Sequence, residues 1–175
     1  MKSLWRCALV VCALMAAFLL LAACGDGGDE LSLEEYFQRV LDIGDAAETR
    51  ADTLEEESQG LGEDLNATRD YFDGLEAIAR EALSDLRDID PPAEVRDAHD
   101  EFVAGVAATQ AVWKDLSDRI RDLESPSEVQ ALLFAMSEDP AFSAAFERQG
   151  NACVQLQGIA DENGIDVDLE CEEAS

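Results

Sequence analysis

The sequence predicts an all-α fold: a helical bundle of three long helices plus one or two shorter C-terminal helices, closed by one disulfide. Three observations carry this reading. Beyond residue 31, apolar residues recur at steps of three and four, the period of a helix with one buried face. Start and stop signals bracket the segments that show this period. Of five cysteines, Cys7, Cys12 and Cys24 lie near the N-terminus, leaving Cys153 and Cys171 as an even pair in the helical part. No stretch alternates apolar and polar residues between hairpin turns well enough to build a sheet, and no repeat of fixed period is present.

Ser32 followed by Glu35 has the form of a capping box, which opens a first helix carrying Leu33, Phe37, Val40, Ala47, Ala51 and Leu54 on one stripe. Glu55-Glu56-Glu57-Ser58 is a solvated end, and Gly60 and Gly62 mark a break or hinge. A second helix carries Leu65, Thr68, Phe72, Leu75, Ala79, Ala82 and Leu86 and ends near Ile89. Asp90-Pro91-Pro92 stops it, because a proline pushes the residue before it out of helical geometry. The same tripeptide is expected to open the third helix, with Asp90 as cap and Pro91 at the first helical position. Val95, His99, Phe102, Val106, Thr109, Trp113, Leu116, Ile120 and Leu123 then form its stripe.

Ser125-Pro126-Ser127-Glu128 repeats the start signal for a shorter helix through Val129, Leu132, Leu133 and Met136. Asp139-Pro140 starts the last helix, striped by Phe142, Phe146, Cys153, Leu156 and Ile159 and stopped at Asn163-Gly164. From Ile165 to Leu169 apolar and acidic residues alternate, which fits a short extended tail. A Cys153–Cys171 disulfide would tie that tail to the last helix. The alternative, a redox or metal-binding thiol pair, lacks both a C-x-x-C spacing and a nearby histidine.

The first residues have the three zones of a secretory signal peptide: basic Lys2 and Arg6, an apolar run from Cys7 to Leu21, and small Ala22 and Ala23. The run is about fifteen residues, short of the roughly 20 that span a bilayer core. Leu21-Ala22-Ala23-Cys24 resembles the lipobox of bacterial lipoproteins in all four positions. The resemblance implies removal of residues 1–23, a diacylglyceryl group on the Cys24 sulfur, and residence on the extracytoplasmic face of a cell membrane or outer envelope, with acyl chains in the bilayer. Two acyl chains hold firmly where one holds marginally. Residues 24–30 then form the lipidated cysteine and a flexible acidic tether, and 31–175 the helical domain.

Pro91-Pro92 with His99 seven residues on, together with the closing Cys153-to-Cys171 segment, resembles small helical lipoproteins of uncharacterised function in GC-rich bacteria. That family implies a location and a fold and no mechanism, so Cys24 alone carries a role over from it.

Charge narrows the choice of partner. The formal net charge is −28, and losing Lys2 and Arg6 with no acidic residue makes it −30. Nucleic acid and anionic lipid surfaces are electrostatically disfavoured, and self-repulsion predicts a fold that gains stability from salt or divalent ions.

No catalytic residue, cofactor site or metal site is expected. His99 could serve as a general base beside Asp97, Asp100 and Glu101 in a hydrolase of unrecognised type, but its register places it between Val95 and Phe102 on an apolar stripe. Asp161 to Asp168 fails the calcium-loop register, with Gly164 at position four and Ile165 at five, and offers at most a weak cation site. Phe37, Tyr71, Phe72, Phe102 and Trp113 lie on or beside the stripes, as core or as the wall of an apolar ligand site. The expected role is non-enzymatic binding or interaction at the cell envelope, with an envelope protein or weakly bound divalent cations as partner; the alternative is a bundle binding a cation or small apolar ligand.

Overall fold

The computed structural model describes residues 31–58 and 63–171. The leader, Cys24, the Gly25-to-Glu30 tether and the Gly60–Gly62 break lie outside the described residues. The described residues form five helices and no strand: α1 (Leu33–Glu57), α2 (Leu65–Arg87), α3 (Arg96–Arg121), α4 (Pro126–Ser137) and α5 (Pro140–Glu162). The all-α bundle is therefore as the sequence predicts. Its proportions differ: α5 has 23 residues, as many as α2, so four helices are long and only the 12-residue α4 is short. The start at Asp139-Pro140 and the stop at Asn163-Gly164 already enclose these 23 residues, and only the apolar stripe between them is thin. Ala145, Ala152 and Ala160 are buried with Leu156 on α5, a small-residue face that bulky-residue spacing under-counts.

Helix starts follow local chemistry. At α1 the Glu35 carboxylate accepts from the Ser32 amide at 3.0 Å, while Ser32 Oγ accepts from the Glu35 amide at 3.3 Å. The Ser32 hydroxyl also donates to that carboxylate at 2.7 Å, and this bond, with the one from the Ser32 amide, holds the Glu35 carboxyl below its ordinary range. Asp64 caps α2 by accepting from the amides of Asn66 at 2.8 Å and Ala67 at 3.3 Å. At α4, Glu128 accepts from the amides of Glu124 at 2.8 Å and Ser125 at 3.0 Å. Asp139 caps α5 ahead of Pro140. Gly164 ends that helix at φ 69°, in the left-handed region glycine enters without strain.

The start of α3 departs from expectation. Its first helical residue is Arg96, with Val95 as an N-cap that makes no side-chain bond, and Asp90 and Pro91 stand outside it. Pro91 cannot be a first helical residue because Pro92 follows and disfavours helical geometry at the position before itself. A turn closes instead, Val95 N donating to Pro92 O at 3.1 Å, and His99 N donates to Val95 O at 2.8 Å as the helix begins.

α3 lies at the centre of the bundle, packed against α2 on one side and α5 on the other, with α1 against α2. Apolar packing concentrates in two clusters. One gathers Tyr36, Phe37, Val40, Leu83, Leu86, Ile89, Val95, Val106 and Leu156 where the start of α1 meets the end of α2. The other gathers Phe72, Leu116, Ile120, Val129, Leu132 and Met136 where the end of α3 meets α4. Leu133, expected on the buried stripe of α4, is exposed together with Phe134.

Cys153 and Cys171 are bonded, their Cα atoms 5.5 Å apart. The tail after α5 leads to Cys171 without helix, and its alternation does the packing: Ile165, Val167 and Leu169 lie against the first cluster. Gln157 takes the place of a neighbouring strand, donating to Val167 O at 3.0 Å and accepting from the Leu169 amide at 2.9 Å.

Candidate ligand cavity

Between the two clusters the bundle is not filled. The middle of α1 contributes Gly44, Ala47 and Ala51, and the facing part of α2 contributes Ala79 and Ala82. These small side chains leave a cavity of about 310 Å³. Phe102, Val106, Thr109 and Trp113 from α3 and Gln149 from α5 form the opposite wall. A second hollow of about 320 Å³ shares Val40, Gly44, Glu48 and Phe102 with it and runs on to Cys153 and Leu169, so the disulfide and tail border a hollow that adjoins the cavity.

The expected aromatic set divides by depth. Phe37 and Phe72 are core residues and Tyr71 packs on the second cluster, whereas Phe102 and Trp113 line the cavity. Trp113 is held edge-on to Phe146 at a centroid distance of 5.8 Å and tilted over Phe72 at 6.5 Å.

Two polar atoms in the wall have no hydrogen-bond partner among the described residues, Thr109 Oγ1 and Gln149 Oε1. Thr109 is 7% exposed, so its hydroxyl is cut off from bulk water. A buried polar atom without a partner costs about 1–3 kcal/mol. The two belong to one part of the wall. Gly105 lets α3 approach α5 so closely that a Cβ there would stand 2.7 Å from the Gln149 Cα, and Thr109 follows Gly105 by one helical turn.

His99 lies elsewhere, in the first cluster. It is 4% exposed, and its Nδ1 is 3.2 Å from Tyr36 Oη on α1. The Leu86 carbonyl of α2 faces the ring as well, and a carbonyl can only accept. His99 therefore donates from Nε2 to Leu86 and accepts from the Tyr36 hydroxyl at Nδ1. Burial lowers the His99 pKa, against smaller upward pushes from Asp100 and the Leu86 carbonyl, and burial pushes the Tyr36 phenol up. The pair is neutral at physiological pH. Asp97, Asp100 and Glu101 are exposed, and Glu101 pairs with Arg148 at 3.0 Å. Tyr36, fully buried, is the partner that stripe counting passes over, since it precedes Phe37 and falls off the spacing.

No protein family model, curated protein or solved structure matches this chain. The cavity and the His99 pair must therefore be weighed on their chemistry alone. Among the described residues no three His, Cys, Asp or Glu side chains gather as a metal site would require, the Asp161-to-Asp168 carboxylates included. No helix among them is long and apolar enough to cross a membrane. An ion pair and a hydrogen bond join the helices nearby: Arg50 meets Glu81 at 2.6 Å across α1 and α2, and Gln110 on α3 donates to Glu76 on α2 at 2.9 Å.

Proposed function

We propose that the chain is a lipid-anchored extracytoplasmic binding protein. It is cut between Ala23 and Cys24, held at the membrane by acyl chains on Cys24, and takes a small apolar ligand between its helices without transforming it. The observation that supports ligand binding is the cavity of about 310 Å³ walled by Phe102, Val106, Trp113 and the small residues of α1 and α2. Ligand sites are mostly apolar clefts of roughly this size or larger, with a few polar groups fixing orientation. The enclosed His99, hydrogen-bonded within the core, favours this reading over a hydrolase that uses His99 as its base.

Two measurements test the two halves. A Cys24→Ala chain is expected to leave the membrane or to stay at precursor size; mature-sized protein still sedimenting with membranes removes the anchor. N-phenyl-1-naphthylamine, an uncharged apolar dye, is expected to raise the melting temperature of the full chain in a saturable manner; no rise removes the ligand role.

A second reading, docking of an envelope protein on α4, has one observation in its favour: Phe134 is 70% exposed beside Leu133 at 37%. Loss of a cross-linked envelope protein from a Phe134→Asp chain would support it, and an unchanged cross-linking pattern would remove it.

A further inference from the structure

We infer that the cavity between α1, α2 and α3 is a site for an uncharged amphiphile: an alkyl or aryl body carrying one hydroxyl group, read by Thr109 and Gln149. The inference rests on the ligand-binding reading above and adds the chemistry of the ligand.

Three features lead to it. The first is the unpartnered pair. Thr109 Oγ1 and Gln149 Oε1 are buried, belong to the lining of one cavity, and are without hydrogen bonds among the described residues. Gln149 Oε1 can only accept, whereas the Thr109 hydroxyl can donate. A ligand hydroxyl answers both: its oxygen accepts from Thr109 and its proton goes to Gln149. An alkane answers neither, and a ketone or ether lacks the proton for Gln149.

The second feature is charge. The chain has a net charge of −28, and Glu48 lies on the cavity wall, so an anion is repelled. A cation has Glu48 alone as a counter-charge on this lining, and moving past it to the neutral Thr109 and Gln149, against Phe102, Val106 and Trp113, costs its hydration. Neutral ligands remain.

The third is Gly44. Glycine inside a helix weakens it, and is usually retained where a neighbour leaves no room for a side chain. A Cβ on Gly44 would meet nothing within 4 Å, so packing does not require glycine there. Gly44 borders both hollows, at the place where a side chain would project into the opening. An open mouth is what the glycine provides.

Trp113 in the wall gives the experiment its reporter. The full-length chain carrying Trp5→Phe retains Trp113 as its one tryptophan. In lipid nanodiscs it is titrated with 8-bromooctan-1-ol or 1-bromooctane, bromine being a contact quencher, against free aqueous concentration. We expect saturable quenching of Trp113 by both, half-saturated at least about tenfold lower for the alcohol, since a site built around buried polar groups rejects an analogue that leaves them unpaired. Thr109→Val and Gln149→Leu together remove the unsatisfied atoms, so the variant folds at least as well and the two probes converge to within about threefold. Gly44→Leu abolishes saturable quenching by both while raising the melting temperature. Equal affinity for the two probes in the Trp5→Phe chain overturns the hydroxyl inference and leaves the apolar cavity standing. A preference that persists without Thr109 and Gln149 overturns it also. Absence of saturable quenching by either probe overturns the ligand-binding reading and this inference together.

Discussion

The Tyr36 hydroxyl donates to His99 Nδ1 across 3.2 Å, joining the first turn of α1 to the first turn of α3 inside the core. With Leu86 on the far side of the ring, a single imidazole ties three helices together at one end of the bundle. The contact is also aromatic, the two rings standing edge to face at 5.7 Å.

Tyr36→Phe keeps the ring and removes the donor, leaving Nδ1 buried and unpaired. The expected cost is about 1–2 kcal/mol, or about 2–8 °C in melting temperature for a chain of this size. Tyr36→Phe with His99→Leu should cost less than the sum of the two single changes, because each single change strands the other polar partner. Additive losses in chemical denaturation would show that the bond contributes nothing.

Acidity should act on this pair with a definite sign. The folded His99 pKa lies below the unfolded value of about 6.5, so the unfolded chain binds the proton more readily. The stability the neutral ring contributes is fully present above about pH 6.5 and is lost as pH falls below it toward the folded value. Acidification also relieves the repulsion of a chain at −28, which masks the trend in the parent protein alone. The clean measurement is the melting-temperature gap between the parent and His99→Gln. It should narrow between about pH 7.5 and 5.5, and a constant gap would refute the assignment.

Two glycine-to-alanine changes should have opposite signs. At Gly105 the new Cβ would lie 2.7 Å from the Gln149 Cα and 3.0 Å from its amide nitrogen, which are backbone atoms with no rotamer to yield. Gly105→Ala is expected to cost about 1–3 kcal/mol as α3 and α5 move apart. At Gly44 the Cβ meets nothing, and Gly44→Ala should stabilise by about 0.5–1 kcal/mol. Urea midpoints of the two variants relative to the parent decide the matter.

Breaking the Cys153–Cys171 bond opens a loop spanning 18 residues. Replacing both cysteines by serine should lower stability by on the order of 3 kcal/mol in the chain-entropy model. Exchange of the Leu169 amide, held by the Gln157 carbonyl, should then accelerate. Unchanged protection at Leu169 would mean that Gln157 and the apolar contacts of Ile165 and Val167 hold the tail unaided.

Several of these features are visible in local sequence, and the reason is range. Ser32 with Glu35, Ser125 with Glu128, and Asp139 before Pro140 act within one helical turn, so residue type and spacing suffice to place three helix starts. The α3 stripe is equally legible, with Val95, His99, Val106, Thr109, Leu116 and Ile120 all buried. The misplaced start of that helix comes from a two-proline interaction, in which the second proline overrides the favourable position of the first. The ends of α5 were legible in Asp139-Pro140 and Asn163-Gly164, whereas its buried face was hidden because alanine signals one only weakly.

By itself the sequence determined an all-helical chain with two cysteines free to pair, and placed His99 on a face turned inward. Those properties depend on periodicity and on neighbours a few residues away. Tertiary structure alone decided that Tyr36 meets His99, that Gly105 lets α5 close on α3, and that the small residues of α1 and α2 face one another across an unfilled space. Each of these joins residues on different helices, up to 63 positions apart in the case of Tyr36 and His99. A cavity is the volume left where facing side chains fail to meet, and no single helix encodes it.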